Sequence, residues 1–427
     1  MPEFSRRTLF LGGAAVIAGG AVLMNKPHDH SGPRDPYFLS IQAALIGAGI
    51  AWPTLVIDRA RLSENVRTLK THLPSGMGYR IVAKSLPSID LISHIRNLSG
   101  TDRLMTFNQP MLSKLSVDMP EASQLVGKPL PVHAAKHYFE TLPANTSAAA
   151  DNIQWLIDTP ARLQQYSALA ADLGRTLKLV LELDVGLHRG GFEPGPALGA
   201  TIEAIEADPN LEFTGFMGYE PHIPSLPTTM GWRDKALKGA WNTYETALAQ
   251  ANDLIGSDRM PGLTRNAAGS PTYRYYQSTD IANEVSAGSC LVKPTHFDTE
   301  LLEPHQPASF IATPVIKSLD KTRLPGLEFA SGPSAAWNPN SKKTIFIHGG
   351  HWLAKPVDPP GLEYNKTFGR SSNQEMMNAG PELSIQPDEF VFLRPEQSEA
   401  VFLQFGDIAV YEDGAIVDTW PVFPISA

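Results

Sequence analysis

The sequence predicts an α/β protein: a (β/α)8 barrel of the TIM type over residues 34–294, then an all-β domain over residues 295–427. Three observations predict it. The 427 residues exceed one small domain and fit a large barrel plus a second domain. Between about residues 50 and 290, short apolar runs alternate with helical patterns, as parallel strands joined by crossover helices require. Beyond about residue 295 the texture changes to short β-like runs separated by turns.

The candidate barrel strands are Thr54–Ile57, Tyr79–Ala83, Arg103–Phe107, Pro131–Ala134, Ile153–Ile157, Leu177–Asp184, Leu211–Gly218 and Glu284–Ala287. Helical patterns cover Arg59–Thr71, Ala161–Leu173, Ala197–Ala207 and Met230–Ile255, and Asp58 is placed to cap the first. Eight such units close into a barrel of about 250 residues. An open, doubly wound sheet is the alternative, but no G-x-G-x-x-G early in the chain supports it. In the β region the runs are Ser309–Ile316, Lys343–Ile347, Glu389–Leu393, Ala400–Phe405 and Ile408–Tyr411, with Asp413-Gly414 as a hairpin turn before Ile416-Val417.

A hydrophobic fraction of 42% with 19% charged residues is ordinary for a globular protein with a sizeable core. The net charge of −9, with no Lys/Arg-rich run after residue 30, argues against nucleic acid as a partner. The single cysteine, Cys290, excludes an internal disulfide and a multi-cysteine zinc site.

The first 33 residues read as a targeting segment. Ser5-Arg6-Arg7-Thr8-Leu9-Phe10-Leu11 opens an apolar stretch that ends at Met24. The S-R-R-x-x-x-L pattern points to twin-arginine export, which carries folded proteins, and so to a periplasmic or exported location. Thr8 to Met24 is short for a spanning helix of about 20 residues. A plain membrane anchor is the alternative, because no clean A-x-A site precedes Asn25. Membrane contact is expected through this segment alone.

Five segments carry candidate chemistry. Lys84 ends the apolar run Tyr79-Arg80-Ile81-Val82-Ala83, and the C-terminal end of a barrel strand faces the active site. A lysine desolvated there would supply the neutral amine that a Schiff base needs; a surface lysine is the alternative. Asp184-Val185-Gly186-Leu187-His188-Arg189-Gly190-Gly191 runs from a strand into a loop where glycines permit close backbone approach and Arg189 can fork onto an anionic oxygen. An arginine merely paired to an acid is the competing reading. Tyr219-Glu220-Pro221-His222 ends another strand, and His222 is either a proton shuttle or ring-stacking partner, or a solvated loop histidine. Gly269-Ser270 and Gly288-Ser289 both follow late strands, where barrels of this kind often bind phosphate.

In this order the segments resemble the fold type III enzymes that use pyridoxal 5'-phosphate (PLP), and within them the D-threonine aldolase and D-serine dehydratase group, relatives of alanine racemase. Trp52-Pro53-Thr54-Leu55-Val56-Ile57-Asp58 is similar to that family's opening strand. The resemblance implies that Lys84 is the Schiff-base lysine and that Arg80 is the family's arginine four residues before it. It implies that Arg189 binds the phenolic oxygen of PLP, that Tyr219 and His222 belong to the cofactor loop, and that Gly269, Ser270, Gly288 and Ser289 hold the phosphate. It also implies an amino acid substrate and a homodimer.

Two departures stand out. The family's R-P-H-x-K reads Arg80-Ile81-Val82-Ala83-Lys84 here, without the histidine. The family's metal segment, P-x-H-x-C or P-x-H-x-D, reads Pro395-Glu396-Gln397-Ser398-Glu399, which leaves mainly Glu399 as a ligand and puts a divalent metal in question. His348 and His351 are either substitutes or plain loop histidines. The expected function is a PLP-dependent lyase, aldolase or dehydratase, of a small D-β-hydroxy amino acid. An amino-acid racemase and a PLP-binding protein without turnover are the alternatives.

Overall fold

The computed structural model describes residues 26–425, apart from 324, 325 and 327. The twin-arginine motif and its apolar stretch lie outside the described residues. Among those described, no helix is long and apolar enough to cross a membrane.

The chain divides into two compact units. One is Leu55–Ser309 together with Pro395–Glu412 and the chain from Val417 onward. The other groups the residues up to Thr54 with Phe310–Arg394 and Asp413–Ile416. The division is therefore not the single cut after residue 294 that the sequence suggests. Strands distant in sequence cause the difference: Thr54–Asp58 pairs in parallel with Ile408–Glu412, Val56 opposite Ala409 and Ile57 opposite Val410. Both runs are apolar and nearly all buried, and a linear pattern does not reveal such a pairing.

The first unit holds a closed barrel of eight parallel strands. These are β1 (Gly78–Val82), β2 (Arg103–Thr106), β3 (Ser123–Val126), β4 (Ile153–Ile157), β5 (Leu177–Leu183), β6 (Leu211–Gly218), β7 (Thr264–Ala267) and β8 (Glu284–Ala287). Closure comes from β1 against β8, with Tyr79 opposite Val285 and Ile81 opposite Ala287. Helices between the strands start on side-chain caps. Asp58 accepts from the Arg61 N–H at 2.9 Å, and Ser88, Asn108 and Thr159 cap Ile89–Ser99, Gln109–Asp118 and Pro160–Leu173.

Two sequence expectations need correction here. Thr54–Ile57 is a strand but not a barrel strand. Pro131–Ala134 is not a strand: Pro131 precedes the helix Val132–Thr141, and its fixed φ of −53° suits a helix start. The barrel instead uses Ser123–Val126 and Thr264–Ala267, four-residue strands too short to show a clear period.

The barrel interior is layered. Its floor is ionic: Arg80 Nε and Nη2 donate to the two oxygens of Glu284 at 2.7 and 2.9 Å. Arg103 Nη1 reaches the same carboxylate at 2.8 Å, and Asn266 Nδ2 donates to it at 2.8 Å. These partners satisfy a charge that would be costly to bury alone. Burial pushes the Glu284 carboxyl up, but the two guanidiniums outweigh it and hold the group below its usual range. Above the floor lies an apolar layer of Met105, Leu125, Leu156, Val180 and Met217.

The second unit is a mainly antiparallel sheet. Ser309–Leu319 lies between Lys343–His348 and Phe390–Pro395, and Lys343–His348 pairs on its other side with Gln374–Ala379. The expected runs Ser309–Ile316, Lys343–Ile347 and Glu389–Leu393 fall on these strands. Ala400–Phe405 does not: it holds the 3-10 turn Phe402–Gln404, within the barrel's unit. Asp413 (φ 48°) and Gly414 (φ 81°) form the expected turn, because both central positions of such a turn need positive φ.

Candidate active site

At the C-terminal ends of the barrel strands a cavity of about 540 Å³ opens. That size is typical of a small-molecule site. Val82, Lys84, Phe107, Tyr219, Ser270 and Glu399 are among the residues on its wall.

Lys84 follows β1 in the short turn Ala83–Ser85. Its Nζ lies 3.3 Å from Glu399 Oε1 and 4.8 Å from the centroid of the Phe107 ring. The bare, desolvated amine expected from sequence is not what the structure presents. The side chain is 32% exposed and carries an ionic partner. Glu399 is itself oriented by hydroxyls. Ser398 Oγ donates to Oε2 at 3.2 Å and Ser85 Oγ to Oε1 at 3.5 Å. Ser289 Oγ donates in turn to Ser85 Oγ at 3.0 Å. A chain of hydroxyls therefore runs from the β8 loop to the carboxylate beside the lysine.

The two Gly-Ser loops meet at the cavity. Ser270 Oγ accepts from the Gly288 N–H at 3.1 Å and the Cys290 N–H at 3.0 Å, which ties the β7 loop to the β8 loop. Both glycines are forced by space. A Cβ on Gly269 would enter the Tyr219 ring, and one on Gly288 would lie 2.8 Å from the Val82 carbonyl oxygen. Behind the β7 loop, Glu220 is fully buried. Tyr276 donates to its Oε2 at 3.1 Å, and Thr272 and the Ala268 backbone also hydrogen-bond to it. Burial pushes its carboxyl up to about 7 against these hydrogen bonds. Burial likewise pushes the Tyr219 hydroxyl up to about 12, so it remains a neutral wall at ordinary pH.

Asp184 folds the β5 loop. It accepts from the Gly186 and His188 N–H groups at 3.0 and 2.9 Å and contacts the His188 ring at 3.0 Å. Burial pushes its carboxyl up, but these hydrogen bonds outweigh it and hold the group below the usual range. At Gly191 (φ 102°) a Cβ would sit 2.9 Å from Glu182 O, so only glycine lets the loop return along β5. The loop presents Arg189 to the cavity. Its guanidinium carbon lies 5.4 Å from the Tyr219 ring centroid, and Nη2 lies 3.8 Å from Glu182 Oε1. Burial raises the Glu182 carboxyl, and Arg189 opposes that shift.

Two predicted site residues are not brought to the cavity. Arg80 is 1% exposed, and its donors are engaged by Glu284 and by the carbonyls of Leu104 and Ser123 at 3.0 and 3.1 Å. It shares the inward face with Val82 but lies two residues lower, so it belongs to the floor. His222 packs near Gly186 and is absent from the cavity wall. Its Nδ1 has no hydrogen-bond partner among the described residues, and burial, reinforced by His188, depresses its basicity. The structure does bring together Lys84, Arg189, Tyr219, Gly269, Ser270, Gly288 and Ser289.

A profile of the alanine racemase N-terminal domain matches residues 57–295, more than half of the chain. The chain belongs to that family. It is therefore a member of the fold type III PLP-dependent enzymes. No curated protein matches it in sequence. Solved structures share its fold at low identity. D-threonine aldolase from Filomicrobium marinum has a TM-score of 0.68 at 17% identity, covering 88% of this chain and 95% of that one. D-threo-3-hydroxyaspartate dehydratase from Delftia sp. HT23 has a TM-score of 0.65 at 15% identity, covering 87% and 97%. Alanine racemase from Clostridium difficile 630 has a TM-score of 0.65 at 12% identity, covering 87% and 99%.

Against the metal segment of the resembled aldolase and dehydratase group, this alanine racemase-like chain differs in its donors. Gln397 is exposed and lies off the cavity wall, while Glu399 is turned to Lys84. Among the described residues no group of three or more His, Cys, Asp or Glu side chains converges to hold a metal. His348 and His351 are exposed and belong to the other unit. Sequence reasoning missed Phe107, Glu182 and Ser85 as wall residues, and treated Glu399 only as a remnant ligand. The signal for Glu399 is hidden because residues 395–412 look like part of the β domain.

Proposed function

We propose that this family member is a PLP-dependent lyase of small D-β-hydroxy amino acids. The observation that carries the reading is Lys84 Nζ on the cavity wall, with the Glu399 carboxylate 3.3 Å away. The residues present fit the cofactor. The Lys84 amine stands on the wall for its aldehyde, and Ser270 and Ser289, with Gly269 and Gly288 beside them, put two hydroxyls on the same wall for a phosphate. Lys84 would hold the aldehyde carbon, and Ser270, Ser289, Gly269 and Gly288 would surround the phosphate. Arg189 would face the phenolic oxygen, with the Tyr219 ring as a wall.

When bound, PLP supplies an electron sink for charge that develops at the substrate Cα. The chain supplies the rest. Lys84 would be the group that takes or returns the proton at Cα. Phe107 and Tyr219 exclude water from one side. Arg189, held by Glu182, counters negative charge on the bound ring. The Glu399 carboxylate beside Lys84 is a group that could take the proton of a β-hydroxyl, and this supports lyase chemistry over simple Cα inversion. Twin-arginine export and a homodimeric assembly are part of the same proposal.

The test is incubation of the PLP-loaded protein with D-threonine, D-serine and D-alanine. Aldehyde plus glycine identifies an aldolase, and keto acid plus ammonia a dehydratase. Appearance of the enantiomer alone would replace the lyase reading with a racemase. A loaded protein inert to all three would favour the binding-protein reading.

A further inference from the structure

The sequence segment that carries metal ligands in the resembled family does not carry them here. The first ligand position is Gln397, exposed to solvent and off the cavity wall. The second is Glu399, which pairs with Lys84 at 3.3 Å and accepts hydrogen bonds from Ser398 and Ser85. A metal at this place would need further donors, and among the described residues no group of three or more His, Cys, Asp or Glu side chains gathers to provide them. The donor set therefore disagrees with a divalent cation at this position.

The same disagreement identifies a replacement. A carboxylate oriented by two hydroxyls and placed beside the catalytic lysine is a positioned base. We propose that Glu399 is a catalytic residue that accepts the proton of the substrate's β-hydroxyl, so that carbon–carbon cleavage proceeds without a divalent metal. The inference rests on the lyase reading above and narrows it to an aldolase.

The step balances without a further reactant. The β-hydroxyl proton passes to Glu399. The oxygen's electron pair forms the aldehyde C=O as the Cα–Cβ bond breaks, and the bonding pair remains at Cα. Glu399 then passes that proton to the Lys84 amine across the 3.3 Å contact, and the resulting ammonium delivers a proton to Cα. The products are glycine and an aldehyde, with both side chains restored.

The experiment uses the full-length, PLP-loaded protein and D-threonine. Glycine and acetaldehyde are measured before and after treatment with a strong chelator, and again after addition of manganese or zinc. In parallel, Glu399→Gln and Glu399→Asp are scored for cofactor uptake by absorbance and borohydride trapping. Both are also scored for exchange of the D-alanine Cα proton with deuterated solvent. The proposal expects cleavage unaffected by the chelator and reduced about 100-fold or more in Glu399→Gln. It expects part of that loss restored in Glu399→Asp, with cofactor trapping and Cα exchange kept near the parent level. Cleavage that vanishes on chelation and returns with metal would overturn it, as would a Glu399→Gln protein that cleaves at the parent rate. Loss of trapping and exchange together with cleavage would also overturn it, since Glu399 would then merely support the site. If the parent protein exchanges the Cα proton but converts D-threonine neither to glycine and acetaldehyde nor to keto acid and ammonia, the lyase reading itself fails.

Discussion

Lys84 and Glu399, 315 positions apart in the chain, meet as an ion pair at 3.3 Å on the wall of one cavity. The pair gives the amine a defined place before any cofactor arrives. Substituting the lysine should therefore remove the covalent link and leave the fold intact, because the side chain is a third exposed. Lys84→Ala is expected to keep the parent's free energy of unfolding within about 1 kcal/mol. It should lose all borohydride-trappable PLP, with mass mapping of the parent adduct to Lys84. A Lys84→Ala protein that still traps the cofactor would remove Lys84 from the site.

Arg80 offers the contrasting prediction, since it binds the floor rather than the cavity. Arg80→Met leaves Glu284 buried with Arg103 as its remaining cationic partner, and should cost about 3 kcal/mol of stability at neutral pH. The pH dependence follows because the carboxyl is held below its ordinary titration range. The stability that Glu284 contributes is present above its ordinary value of 4.5 and is lost as pH falls below it. The gap between parent and variant, measured by urea unfolding, should therefore narrow from pH 7 to pH 3. A gap that widens in acid would contradict the floor role.

Much of the barrel is legible in the sequence because its helices and longer strands obey simple periods. Arg59–Thr71 matches the structure end to end, since Asp58 marks its start. The failures share a cause. Ser123–Val126 and Thr264–Ala267 are too short to carry a period, while Val132 and the apolar residues around it imitate a strand. The site divides in the same way. Lys84, Arg189 and the Gly-Ser pairs are visible because loop glycines and strand-end polar residues stand out locally. Arg80 lies in the same run as Lys84, and sequence alone does not give its depth in the barrel. Glu399 joins the site only through long-range folding of residues 395–412 onto the barrel, and no local pattern signals that.

Glu220 predicts an alkaline loss of stability. Burial raises its carboxyl to about 7 from an ordinary 4.5. Its contribution is fully present below about pH 4.5, where both folded and unfolded chains are protonated. It is lost as pH rises through about 7, because the unfolded chain ionises first. The loss should be on the order of 3 kcal/mol. Glu220→Gln keeps a neutral hydrogen-bonding group and removes the titration. Urea unfolding at pH 5 and pH 8 should show a smaller drop for the variant than for the parent. Equal drops in the two proteins would mean that Glu220 does not titrate in this range.

The two Gly-Ser loops give a last prediction, because their glycines are blocked by different neighbours. At Gly288 an added Cβ meets backbone, the Val82 carbonyl at 2.8 Å, and the Ser85 Cβ at 3.1 Å. Backbone yields poorly, and the strain falls on the turn that holds Lys84. At Gly269 the obstacle is the Tyr219 ring. A side chain can turn aside, though this one is largely buried and Arg189 stacks near it. Gly288→Ala should therefore cost about 1–3 kcal/mol of stability and slow trapping of PLP by Lys84. Gly269→Ala should cost less stability and act mainly by moving Tyr219, which weakens cofactor binding without slowing the amine's reaction with the aldehyde. Urea unfolding, combined with PLP binding and trapping rates, separates the two. If Gly269→Ala proves the more destabilising, the Tyr219 ring is held as rigidly as the backbone, and the wall it forms is a fixed part of the barrel rim.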